Sequence, residues 1–331
     1  MIAIEAVTVL AMSLLLPAVN SIVTELVPPA RLSGALGMQQ SAQATGRLIG
    51  PAIAGAVLAA VGTALTLWVH AALLLVAAGV ATRLPRPEAA AAEAGAPAPR
   101  RRWSTEFRVG MRVNWAIPIE RGWILCNFAG ALFLLPAVAM LVPLKVQSLG
   151  LGAQWLGGCE AALSLGMLAG SFGLANGWSR MQGRYATRLT SATVQGLALA
   201  VAGLTSQPLV LVAMFAIVGV ANSAQVLVGK THRMLARPLA FRARMSAGAI
   251  MATQISQTIG PALAGLALAH WSVRTVYVAF GLLAAVASLG FAAIPGFRAF
   301  MALDHEQVDN WYGRTYPHVF EQAAARRLPS A

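Results

Sequence analysis

The chain has 331 residues, 58% of them hydrophobic and 11% charged, against about 25% charged in an ordinary soluble domain. Its net charge of +13 arises from 24 Lys and Arg against 11 Asp and Glu. That much apolar surface excludes a soluble core. The basic residues flank apolar runs and are not interleaved with aromatics on one surface, which excludes a nucleic-acid face.

Residues 2–23 form the first of nine apolar runs, each about 18 to 26 residues long and so able to cross a hydrocarbon core of about 30 Å as a helix. This run has Glu5 and no basic leader, so it is not a cleavable signal. The second and third runs cover residues 35–61 and 64–81. A Pro/Ala/Glu tract with Pro85 and Pro87 follows, then the basic cluster Arg100–Arg102 and an amphipathic stretch over 103–118 expected at the membrane headgroups. Six further runs cover 122–143, 155–174, 187–204, 208–229, 247–269 and 273–294, and a polar tail closes the chain.

Richness in Ala, Leu and Gly, without short polar/apolar alternation, predicts an all-α membrane protein and not a barrel. Four parts are expected: a three-helix partial bundle (1–84), a cytoplasmic linker (85–118), a six-helix bundle (119–294) and a cytoplasmic tail (295–331). If the loop at 24–34 is cytoplasmic, every basic residue except Lys145, Arg274 and the intraspan Arg47 falls in segments on that side. Arg180, Arg184 and Arg188 belong to that set, as do Lys230, Arg233, Arg237, Arg242 and Arg244. The positive-inside rule then places the protein in a bacterial inner membrane with a cytoplasmic carboxyl terminus.

An internal repeat supports the division. Gly50-Pro51-Ala52-Ile53-Ala54-Gly55 in the second run matches Gly260-Pro261-Ala262-Leu263-Ala264-Gly265 in the eighth. Runs one to three thus correspond to runs seven to nine, and the first unit is expected to lack three helices at its amino-terminal side.

The second run carries Gly37, Gly46, Gly50, Pro51, Ala54 and Gly55. This spacing resembles the fifth-helix antiporter motif of the major facilitator superfamily, Gly-x8-Gly-x3-Gly-Pro-x2-Gly-Gly, departing only at Ala54, which remains small. The stretch Pro17-Ala18-x6-Glu25-Leu26-Val27-Pro28, Arg31-Leu32, Arg47 before Leu48-Ile49-Gly50-Pro51, and residues 107–158 are similar to the branch containing the enterobactin exporter. That branch also contains macrolide and drug exporters. The fourth-helix arginine of many antiporters has no equivalent in residues 2–23. The resemblance implies a major facilitator fold with nine transmembrane helices, family helices four to twelve. It further implies a secondary active exporter of small amphiphilic molecules by proton antiport, with no cofactor. The other reading is a truncated, transport-inactive membrane protein or interaction subunit.

Ionisable groups within spans are functional candidates because charge at bilayer depth is costly. Glu160 either carries a proton as a desolvated carboxyl or sits hydrated near the outer surface. Arg47, beside Gln39, Gln40 and Gln43, either lines a polar cavity and binds an anionic group or holds helices together. Asn20, Gln43, Asn127, Asn222, Gln225, Gln254 and Gln257 either face the cavity or bond neighbouring helices. Cys126 and Cys159 are expected to be packing residues, and the tail residues Asp304, His305, Glu306, Asp309 and His318 match no metal spacing and suggest a solvated amphipathic tail on the cytoplasmic surface. No nucleophile-base pair or phosphate loop is present, so the chain is not expected to be an enzyme.

Overall fold

The computed structural model describes Val27, residues 32–83 and residues 103–325. The first apolar run, with Glu5 and Asn20, and the Arg100–Arg102 cluster lie outside the described residues, as do the side chains of Arg47, Pro51 and Ala54. Among the described residues there are helices and no strands.

Helix α1, Leu32–Ala81, carries the second and third expected runs. They are separated where Gly62 stands at φ 75, ψ 173, a conformation open to glycine and costly for any residue with a Cβ. Helix α2, Trp103–Ala116, is the amphipathic stretch. Its Gly110 lies against the Arg244 carbonyl and its Asn114 Nδ2 donates to the Met245 carbonyl at 2.9 Å, so one face is packed on protein, while Arg108, Arg112 and Trp115 are exposed.

Helix α3, Pro118–Ala139, starts with proline in its first turn, where no helical N–H is lost, and the short α4, Leu141–Ser148, follows it. Helix α5, Ala153–Ala169, passes through a π turn at Gly170–Leu174 into α6, Ala175–Leu204. Helices α7, Pro208–Ala236, α8, Leu239–Leu268, and α9, Val273–Leu289, complete the bundle.

Four segments among the described residues are long and apolar enough to cross a membrane: Pro118–Ala139, Gln154–Leu204, Pro208–Ala236 and Val273–Ala293. The second has 51 residues, about 76 Å of helix and more than twice a hydrocarbon core. It is interrupted at Gly173 (φ 149) and Gly183 (φ 79, ψ 163), and the expected fifth and sixth runs occupy its two ends. A shorter apolar helix covers Leu65–Ala81, and the expected eighth run lies within α8, whose first turns carry Arg242 and Arg244.

Helix pairs meet where side chains are small and a hydroxyl is near. Between α6 and α9, Gly196 and Gly281 press against the backbone of Ala285 and Ala200, and Thr193 Oγ1 and Ser288 Oγ are 2.8 Å apart. Between α5 and α7, Gly166 and Gly219 meet the opposing backbone, and Ser223 Oγ donates to the Met167 carbonyl at 2.7 Å. Between α3 and α8, Gly260 of the repeat abuts the Leu132 carbonyl and Pro136, and Ser256 Oγ donates to the Phe128 carbonyl at 3.1 Å. Lipid tails supply no hydrophobic drive between helices, so such close approach and interhelical bonds hold the bundle.

The tail is amphipathic, with Asp304, Glu306, Asp309 and His318 exposed and an apolar face turned to the bundle. Helices α10, Phe297–Ala302, α11, His305–Val308, α12, Trp311–Thr315, and α13, Pro317–Ala325, fold back onto the bundle end. Phe297, Phe300, Met301, Val308 and Tyr312 are buried in one apolar cluster with Trp123, Leu235 and Phe241. The Asn310 N–H donates to the Leu235 carbonyl at 2.9 Å, and the His232 Nε2 lies 2.8 Å from the Phe300 carbonyl. Apolar residues at positions 297, 300, 301, 308 and 312 gave the segment a face to bury; the interspersed acids conceal that face from a reading by polarity.

Candidate functional site

Helices α3, α6 and α7 each present one face to a common polar seam. On α3, Glu120, Trp123 and Asn127 follow the three- and four-residue spacing of one helical face; on α7, Gln225, Gly229 and Arg233 do the same, and Arg237 follows directly after its last residue in extended backbone. Helix α6 supplies Arg188 and Gln195.

The first layer of the seam lies at the bundle end where α3 begins and α7 finishes. Glu120 is fully buried. Its carboxylate accepts from Arg233 Nε at 3.0 Å and Nη2 at 2.7 Å, and from Arg237 Nη2 at 2.9 Å. Arg237 Nη1 also donates to Ser246 Oγ at 2.8 Å, tying in α8. The carboxylate sits in the first turn of α3 and the guanidiniums at the last turn of α7, so both helix dipoles favour the charges they meet. Burial pulls Arg237 below the usual arginine range, the Glu120 charge opposes that, and Arg233 reinforces it. Tyr312 of the tail, stacked on Phe300 with ring centroids 5.5 Å apart, covers this triad; its hydroxyl lies beside the carboxylate, short of hydrogen-bond geometry. Burial first, then the Glu120 charge, raises the Tyr312 phenol well above its ordinary value.

The second layer lies deeper. Arg188, 5% exposed, donates from Nη1 to Gln225 Oε1 at 2.6 Å and from Nη2 to Asn127 Oδ1 at 2.7 Å. Gln225 Nε2 in turn donates to Gln195 Oε1 at 2.6 Å. The guanidinium is 4.3 Å from the Phe291 ring centroid and 5.6 Å from that of Trp123, whose ring also faces Arg233 at 5.3 Å. Gly229 makes room for this: a Cβ there would fall 2.9 Å from Trp123 Cζ2 and 3.8 Å from Arg188 Cδ.

Asn127 is nine residues into α3 and Gln225 eleven residues from the end of α7, about 14 and 16 Å along their axes. Arg188 follows the Gly183 break by five residues, about 8 Å of helix, and its guanidinium lies beside Trp123, so the seam runs inward from the triad end of the bundle. It also divides the apolar interior. One cluster, with Trp123, Phe291 and Phe297, lies on the triad side, and a second, with Leu199, Phe215 and Tyr277, lies on the other.

Of the expected site residues, Asn127 and Gln225 come together here. Gln195 and Glu120 went unnoticed in the sequence, and Arg188, Arg233, Arg237 and Arg242 were counted as loop charges; all four arginines are buried. The reason is geometric. Helices α6 and α7 extend beyond the apolar windows, and arginines on their inner faces find partners, while a window reads any charge as a span boundary. Lys145 is likewise buried, its Nζ donating to the Gly203 carbonyl at 2.7 Å.

The remaining candidates are dispersed. Glu160 is half-buried on α5, within electrostatic reach of Tyr277 and Cys159. Asn222 and Gln254 are half-buried, and Gln43 and Gln257 exposed. Among the described residues none of these side chains bonds to the seam. Gly46 and Gly50 of the motif face open space. Cys126 and Cys159 are free thiols, and no group of metal-ligating side chains occurs among the described residues.

A multi-pass apolar bundle with a buried polar, charged layer is the architecture of a helical membrane protein. The model of the Major Facilitator Superfamily matches residues 1–229, more than half of the chain, and the protein belongs to that superfamily of small-molecule transporters. No curated protein matches the chain, and no solved structure does.

Proposed function

We propose that the chain exports small amphiphilic molecules, of siderophore, macrolide or drug-like size, by proton antiport through alternating access. The observation that carries this reading is the buried Arg188–Asn127–Gln225–Gln195 seam between three helices of the bundle, a polar interior of the kind a secondary transporter uses to hold its substrate. The spacing of Gly37, Gly46, Gly50, Pro51, Ala54 and Gly55 supports exchange as the mode, through its resemblance to the antiporter motif. In this reading Glu160 carries the proton, and Arg47, Gln43, Asn222, Gln254 and Gln257 contribute to the cavity. The membrane is a bacterial inner membrane, and the tail is cytoplasmic.

The test is dye efflux from energised cells and reconstituted vesicles, with and without a protonophore. Antiport predicts efflux that stops when the proton gradient is dissipated and that acidifies the compartment the substrate leaves. Efflux indifferent to the gradient would remove the coupling; a folded protein that moves no substrate would favour the transport-inactive reading.

A further inference from the structure

Three of the five N–H donors of a guanidinium remain at Arg188 once those to Gln225 and Asn127 are taken. One of them, Nε–H, is buried without a partner. The Phe291 and Trp123 ring centroids lie 4.3 and 5.6 Å from the guanidinium carbon, and Asn127 and Gln225 take one hydrogen on each terminal nitrogen, so Nε–H and one hydrogen on each terminal nitrogen remain. A carboxylate or phosphate binds in-plane donors of this kind with two parallel hydrogen bonds.

The charge is open as well as the geometry. Glu120 is engaged by Arg233 and Arg237, which leaves this face of the bundle with three guanidiniums around one carboxylate. Arg233, of the same sign as Arg188, lies 5.3 Å from the same Trp123 ring centroid. Among the described residues no acidic side chain pairs with Arg188. Gln225 cannot turn its amide nitrogen toward the guanidinium without losing its bond to Gln195, so the seam offers Arg188 only neutral oxygens.

We propose that Arg188 is the recognition point for a compact oxyanion, and that the exported amphiphile carries a carboxylate or an equivalent group that docks on its remaining N–H donors. The inference rests on the export reading and names the substrate class of the same site. The same chemistry is offered by the phosphate of an anionic lipid headgroup, and the experiment separates the two sources.

The full chain is reconstituted in zwitterionic nanodiscs, and binding of 1-pyrenebutyrate and of its neutral amide is followed by tryptophan-to-pyrene energy transfer near neutral pH. The wild type binds the carboxylate about tenfold more tightly than the amide, the equivalent of one charge-assisted hydrogen bond. In Arg188→Gln the two ligands bind within about twofold of one another. Arg188→Lys, which keeps the charge but lacks the fork, falls between and guards against a mere folding defect. Displacement of pyrenebutyrate by phosphatidylglycerol in the wild type, but not in Arg188→Gln, identifies the lipid headgroup as the oxyanion; no displacement identifies the solute.

A wild type that does not discriminate, or an Arg188→Gln variant that keeps the preference, overturns the oxyanion site. The export reading then stands or falls separately, on protonophore-sensitive efflux of the amide. Failure of the folded wild type to bind or move either probe overturns both.

Discussion

Replacing Glu120 with Gln removes the one negative charge in the Glu120–Arg233–Arg237 triad while keeping its shape. The carboxylate is fully buried and takes two bonds from Arg233 and one shorter than 3 Å from Arg237. In Glu120→Gln, two guanidiniums, 9% and 2% exposed, face each other without a counter-charge. Breaking a buried pair from one side costs about 3 to 5 kcal/mol, because the remaining charge has already been desolvated. The lower figure is a factor of roughly 150 in the unfolding equilibrium. The assay is equilibrium unfolding in mixed micelles followed by tryptophan emission, for which Trp123, packed against Arg233, is a local reporter. A companion triple variant, Glu120→Leu with Arg233→Met and Arg237→Met, removes all three charges and is expected to recover most of the loss, since apolar replacement of a whole buried ion cluster is near neutral. The reasoning is refuted if Glu120→Gln unfolds within about 1 kcal/mol of the wild type, a value typical of an exposed ion pair. It is refuted equally if the triple variant is as damaged as the single one.

Three further outcomes are expected from the same unfolding assay. Gly229→Val forces a side chain into the position 2.9 Å from Trp123 Cζ2, and overpacking of this kind lowers stability by about 1 to 3 kcal/mol; Ala at this site costs less than Val, and equal losses would mean that the ring moves aside freely. Asn310 has φ 51 and ψ 27, in the left-handed region, so Asn310→Gly is neutral or better whereas Asn310→Val costs about 1 to 2 kcal/mol. Tyr312 has its phenol raised well above 10.0 in the folded protein. Above about pH 10 the unfolded chain therefore releases a proton that the folded chain keeps, and stability falls as pH rises. Tyr312→Phe flattens that alkaline decline, and an unchanged slope would show that the phenol is not protected.

The apolar runs made the helical class legible, because only helices or closed barrels satisfy a backbone in hydrocarbon and the runs lack barrel alternation. Two expected run boundaries coincide with glycines at positive φ: Gly62 separates the second run from the third, and Gly183 lies just before the sixth. The docked face of the tail was less legible, because Asp304, Glu306 and Asp309 dominate its polarity, while the residues that dock it, Phe297, Phe300, Val308 and Tyr312, are spread over three short helices with no common period.

The charged seam was hidden by the rule that made orientation readable. Counting arginines by side treats each as a solvated anchor, and Arg108, Arg112 and Arg121 are exposed. For Arg188, Arg233 and Arg237 the same count conceals inward-facing groups. The discriminating signal was periodicity with a polar partner. Gln225, Gly229 and Arg233 recur every four residues on one helix, and Glu120, Trp123 and Asn127 match them on another. An arginine that continues such a stripe toward the bundle centre, past a glycine that clears its path, serves the interior and not the interface. Arg188 carries this furthest, because the groups that hold it are neutral and its Nε–H is buried without a partner.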